Sequence, residues 1–291
     1  MKTLKFVSIA LAAVLALAGC APAEQPIDGK VKIVASTNVW GDVAKSVGGD
    51  LVEVTSIIDD ANKDPHSYEA TARDQLAVEK SNLVVANGGG YDDFIEKMVE
   101  AAGNKRIFRV ASAVTAVAWQ ENEHLWYNIS AVGEVAYALS DALAELDPEN
   151  ASTYSKNADT YVEGLTGVAA VYGEVRTRTQ DLTYFGTEPL ADWLLADLGF
   201  VNKTPEKFSE AIENETDVAP AVMKQSLDLI NGGSIKYLVI NAQTENAQVK
   251  QIIDAASKAG VRAVKLSEVL PKGIGYVEWM GQNLISLDPA K

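Results

Sequence analysis

The chain has 291 residues, 47% hydrophobic and 22% charged, which is the composition of a folded globular protein and excludes a disordered one. A formal net charge of −15 argues against nucleic acid and anionic headgroups as partners and is permissive for a cation ligand. Cys20 is the only cysteine, so no internal disulfide can form.

Lys2 and Lys5 precede an apolar run from Phe6 to Leu17, and small residues lead to Cys20. That pattern predicts a secretory signal over residues 1–20, too short for a membrane-spanning helix of ~20 residues. Leu17-Ala18-Gly19-Cys20 resembles a lipobox, in which the cysteine becomes the new N-terminus and carries the lipid. Lipidation would remove the liability of a free exposed thiol on a secreted protein. The alternative is an ordinary signal with an incidental cysteine. Residues 21–30, with two prolines and no periodicity, read as a tether. The mature chain is therefore expected at the extracytoplasmic face of the cell membrane, lipid-anchored at one end.

From residue 31 short β-rich runs alternate with helical patterns. Val31–Ser36 reads as a strand, Trp40–Val47 as a helix, Val52–Ile58 as a strand and Thr71–Lys80 as a helix. Asn82–Asn87 is a continuous apolar run of the kind buried in a parallel sheet, followed by Gly88-Gly89-Gly90, a helix over Asp92–Ala102 and the strand-like Arg106–Val110. The glycines match neither phosphate-binding signature and are read as a tight turn. This rhythm predicts an α/β lobe with parallel strands over residues 31–147.

Pro148 opens a helical pattern reaching about Arg178, interrupted only by Gly164, Gly167 and Gly173; residues 148–180 are predicted as a stiff connector. The alternative is two helices broken between Gly164 and Gly173. A second α/β lobe is predicted over 181–291: strand Thr183–Gly186, helix Glu188–Leu198, helix Val222–Asn231, strand Ile235–Asn241, helix Gln248–Ala259 closed by Gly260, and strand Arg262–Leu266.

The chain has two histidines, His66 and His124, each in a polar and aromatic loop segment: Asp64-Pro65-His66-Ser67-Tyr68-Glu69 and Glu121-Asn122-Glu123-His124-Leu125-Trp126-Tyr127. In open α/β sheets ligands bind outside the carboxyl ends of the strands, where these loops fall. A histidine in a loop is by itself more often a surface residue. Pro65, however, restricts the backbone on both sides of it, and imidazole is the commonest metal-binding side chain near neutral pH.

The Asp64-Pro65-His66 element, Asp74, Asn87-Gly88-Gly89-Gly90, His124-Leu125-Trp126, and the closing Gly273, Tyr276, Trp279 and Met280 together resemble the manganese/zinc class of substrate-binding lipoproteins of metal ABC transporters. The resemblance covers nearly the whole mature chain. It implies two α/β lobes joined by one rigid helix, with a single divalent ion held by four side chains in the cleft. Carried over residue by residue, the ligands are His66 and His124 from the first lobe, Glu188 after the first strand of the second, and an acid just past the last strand, for which Glu268 is chosen over Glu245 and Glu278. Taken alone, Glu188 reads as an acid in the first turn of a helix. Glu123 stands where many members have proline, and the plain Thr115–Gln120 segment lacks the His-rich loop of zinc-specialised members.

Two imidazoles and two carboxylates tilt the expected ion toward manganese, with zinc next and ferrous iron third. The implied partners are a membrane permease and its cytoplasmic ATPase, with the chain a monomer that binds no nucleic acid. Two other classes compete: a secreted metal-dependent hydrolase, for which no H-E-x-x-H pair or G-x-S-x-G occurs, and a surface adhesin using the same fold.

Overall fold

The computed structural model describes residues 29–60, 63, 65–103, 105–118, 122–244 and 246–291. The signal segment, Cys20, Asp64, Glu121 and Glu245, and the tether up to residue 28, lie outside the described residues.

The elements run β1 (Val31–Thr37), α1 (Asn38–Gly48), β2 (Val52–Ile58), α2 (Ala72–Lys80), β3 (Leu83–Ala86), α3 (Asp93–Ala101), β4 (Ile107–Arg109), α4 (Val110–Ala113) and α5 (Ile129–Leu146). A short 3-10 turn, Pro148–Asn150, leads into α6 (Ala151–Thr179). Then follow β5 (Thr183–Gly186), α7 (Asp192–Asp197), β6 (Val201–Asn202), α8 (Glu206–Glu213), α9 (Pro220–Asn231), β7 (Tyr237–Asn241), α10 (Ala247–Lys258), β8 (Arg262–Leu266) and α11 (Tyr276–Leu287).

The strands form two sheets of four, ordered β2-β1-β3-β4 and β6-β5-β7-β8, with every neighbouring pair parallel. The two orders are the same when each sheet is counted from its own first strand. In both, the order reverses beside that first strand, which opens a crevice at the carboxyl edge. Apolar residues cover both faces of each sheet. Ile33 and Ala35 of β1 join the large core shared with α1, α5 and α6, whereas Val34 faces a separate cluster with Ile58, Val84 and Ile95. Leu238 and Ile240 of β7 do the same with Phe185, Phe208 and Ile252. Burial on both sides is why β3 and β7 read as unbroken apolar runs.

α6 is unbroken over 29 residues, ~44 Å at the α-helical rise. Each internal glycine costs up to about 1 kcal/mol relative to alanine. Against that, Tyr154, Ala158, Tyr161, Leu165, Val168 and Val175 recur three, four or seven residues apart and are all buried, a seam packed on α5, α1 and α11. The packed face outweighs local propensity, so the two-helix alternative is not realised. Elements absent from the sequence reading, among them α4, α5, β6 and α8, are present, and the helix expected from Glu188 starts at Asp192 instead. Among the described residues no helix is long and apolar enough to cross a membrane.

Candidate metal centre

Three predicted site residues lie in loops at the carboxyl ends of strands, His66 after β2, Glu188 after β5 and Glu268 after β8, and the fourth, His124, lies in the loop between α4 and α5. The loop carrying His66 is anchored by Asp74, which closes a capping box with Thr71 at the start of α2 and also accepts from Tyr68 Oη at 2.9 Å. The His124 loop is anchored from β3. Gly88, Gly89 and Gly90 all have positive φ, which only glycine adopts without strain, and the turn brings the Asn87 and Gly88 N–H groups onto the buried Asp92 carboxylate. Asn87 then donates its side-chain amide to the Glu123 carbonyl at 3.0 Å.

Asn122 fixes the His124 ring. Its Oδ1 lies 2.8 Å from His124 Nδ1, and an amide oxygen only accepts, so Nδ1 carries the proton and Nε2 presents its lone pair. Asn122 also donates to the Pro189 carbonyl at 2.7 Å, joining the His124 loop to the residue after Glu188 across the cleft. His124 is 1% exposed, and its Nε2 has no hydrogen-bond partner among the described residues. Burial first, then the nearby His66, push its pKa well below the ordinary value, so the ring is neutral and able to ligate. Tyr91 and Trp126 wall the two imidazoles, whose centroids are 5.9 Å apart.

From the second sheet, Glu188 is held by a tight turn: a Cβ on Gly186 would meet the Glu188 carbonyl at 2.9 Å. Glu188 and Glu268 are both buried and share one donor, Asn241 Nδ2. Glu268 also accepts from Tyr91 Oη at 2.9 Å, and its Oε2 lies 3.9 Å from His66 Nε2. The loop beyond Glu268 is clasped by the first lobe, with Asn38 and Leu270 exchanging two hydrogen bonds and Tyr127 Oη donating to the Ser267 carbonyl.

Ligand atoms of His66, His124 and Glu268 all lie within 4.8 Å of one another. Glu188 is outside that trio, adjoining it through Asn241. Glu278 lies elsewhere, exposed on α11 and bonded to Gln282. The sequence reading missed Glu213, on the last turn of α8, whose Oε1 lies 3.9 Å from His124 Nε2; with His66 and Glu123 it forms a second trio within 4.8 Å. Burial, then Glu123 and Glu188 among other acids, raise the Glu213 pKa to about 8. An amphipathic helix with an acid near its end carries no local sign of this placement. Several carboxylates converging beside two imidazoles are electrostatically costly unless a cation joins them.

Among relatives, the metal ABC transporter substrate-binding lipoprotein SsaB of Streptococcus sanguinis is 31% identical over 184 residues, covering 58% of this chain and 59% of SsaB. The match thus spans less than two thirds of that relative's own length. A metal ABC transporter substrate-binding lipoprotein of Lactococcus lactis is 29% identical over 274 residues, 86% of this chain and 84% of that one. The fold is shared with the substrate-binding protein FpvC of Pseudomonas aeruginosa, solved with Mn2+, at TM-score 0.73 and 23% identity over 90% of this chain and 98% of that one. It is shared equally with the periplasmic zinc-binding protein TroA of Treponema pallidum, at TM-score 0.74 and 18% identity over 90% and 99%. The family model for ZnuA, zinc-uptake complex component A, periplasmic, matches residues 33–290, and the chain belongs to that family.

Proposed function

We propose that the chain is an extracytoplasmic binding lipoprotein that captures one divalent transition-metal ion between two lobes and delivers it to an ABC permease served by a cytoplasmic ATPase. In this reading residues 1–20 are a lipoprotein signal ending at the lipidated Cys20, 21–30 a tether, 31–147 and 181–291 the lobes, and 148–180 the connector of a monomer. His66, His124, Glu188 and Glu268 are the ligands.

The observation that carries the reading is the pairing of each imidazole Nε2 with a carboxylate oxygen 3.9 Å away, His66 with Glu268 and His124 with Glu213. That spacing is too long for a hydrogen bond and suits two donors on one ion. The oxygen-rich surroundings favour manganese, then zinc, then ferrous iron, although intrinsic affinity alone would rank zinc above manganese. Membership of an uptake-component family favours capture over hydrolysis.

Calorimetric titration of the mature protein with Mn2+ and Zn2+ tests it. One ion should bind per chain, and His66→Ala and His124→Ala should each lose on the order of a hundredfold in affinity, as loss of a ligand implies. Unchanged binding by either variant would overturn the site.

A further inference from the structure

Glu213 is not explained by the helix that carries it. It closes α8, where a negative side chain opposes the helix dipole, and it is drawn inward among Glu123, Glu188, Asp192 and Glu210. Its one ion-pair partner among the described residues is His124. Glu213 Oε1 and His124 Nε2 are both buried, both lack a hydrogen-bond partner among the described residues, and face each other at 3.9 Å. Two atoms each ~2.1 Å from one ion lie roughly 3 to 4.2 Å apart, so the gap has the width of a shared cation. The His66–Glu268 pair on the other side has the same spacing. Glu268 is grouped with both imidazoles, whereas Glu213 is grouped with His66 and pairs with His124, so each carboxylate adjoins the same two histidines.

We propose that Glu213 is a fifth ligand, which converts a two-nitrogen, two-oxygen set into one with three carboxylates and so sets selectivity for a hard, five- or six-coordinate ion over tetrahedral zinc. The proposal rests on the metal-capture reading and deepens it. Zinc in a four-ligand site gains little from a fifth donor, whereas manganese prefers oxygen donors and higher coordination. Glu123, the remaining acid of the outer trio, is grouped with His66 and Glu213 but is not paired with His124 as Glu213 is. Its charge therefore acts on the ion through space.

The test titrates wild type, Glu213→Gln and Glu123→Gln with Mn2+ and with Zn2+, and records the visible spectrum of each Co2+ complex. Glu213→Gln should weaken Mn2+ binding about tenfold or more and Zn2+ binding less than about threefold, because only the ion that uses the extra oxygen loses a bond. Glu123→Gln removes the same charge and should weaken both ions alike. The wild-type Co2+ complex should show the faint band of a five- or six-coordinate ion, and Glu213→Gln the intense band of a tetrahedral one. Isosteric Gln relieves repulsion, so the metal-free variant should melt no lower than wild type. If wild type binds one ion but Glu213→Gln keeps its Mn2+ to Zn2+ ratio and its Co2+ spectrum, Glu213 acts only through charge and the proposal fails alone. If wild type binds no divalent ion, the capture reading fails with it.

Discussion

Asn241 Nδ2 donates to Glu188 and Glu268 together, so one amide at the end of β7 sets the separation of two buried carboxylates. Asn241 is itself fixed, its backbone N–H donating to Thr187 Oγ1 at 3.0 Å and its Oδ1 accepting from the Gln243 N–H. Asn241→Ala should lower metal affinity about tenfold to a hundredfold, the usual effect of removing a group that orients ligands. Competition titration against a chromophoric chelator measures it. Wild-type affinity in the variant would mean the carboxylates are positioned without Asn241.

Carboxylate identity gives a second expectation. Glu188→Gln and Glu268→Gln should weaken both Mn2+ and Zn2+, whereas Glu278→Gln should not, since Glu278 lies on the exposed side of α11. Glu188→His, which exchanges an oxygen donor for a nitrogen one at the same place, should move preference toward zinc. Parallel titrations of the four variants decide this, and normal binding by both Glu188→Gln and Glu268→Gln would remove the second sheet from the site.

Metal affinity should fall on acidification, because protonated imidazole cannot ligate. The His124 pKa is held well below 6.5, first by burial and then by His66, so protons compete for this ligand only at more acidic pH than for a free histidine. Its contribution to binding is thus retained at neutral pH and lost as pH falls through that depressed value. Dissociation constants measured from pH 8 downward should stay level near neutrality and rise at the acid end, and a profile that stays flat until the protein unfolds would rule out histidine ligation.

Fold stability carries its own pH dependence at Asp192, at the start of α7. Burial raises this carboxyl to about 6, against the hydrogen bonds from Tyr184 and Asn202, while the ordinary value is 3.8. A raised folded-state pKa means the stabilising contribution is full below about 4 and is lost as pH rises through 6. The two-unit gap corresponds to on the order of 3 kcal/mol. Asp192→Asn cannot ionise, so its melting temperature relative to wild type should climb between pH 4 and 7. A difference independent of pH in scanning calorimetry would refute the assignment.

Local patterning in the chain determined most of the scaffold. β3 and β7 lie where apolar runs bounded by turns predict them, because a strand buried on both faces leaves a continuous apolar signature. His66 and His124 could be proposed from the sequence for a similarly local reason: Pro65, Asp74, Asn87 and Trp126 are written close beside them or at a strand end. Tertiary structure decided what depends on distant partners. Gly164, Gly167 and Gly173 would locally break α6, but the buried seam from Tyr154 to Val175 carries the helix through. Glu188 and Pro189 look like a helix start, yet the turn at Gly186 and the reach of Asn241, more than fifty residues away, hold Glu188 outside α7. Glu213 was illegible because its meaning is a distance: only the packing of α8 against the cleft brings its carboxylate to 3.9 Å from His124, far earlier in the chain. Periodicity records which side chains are buried, and it does not record what they meet there.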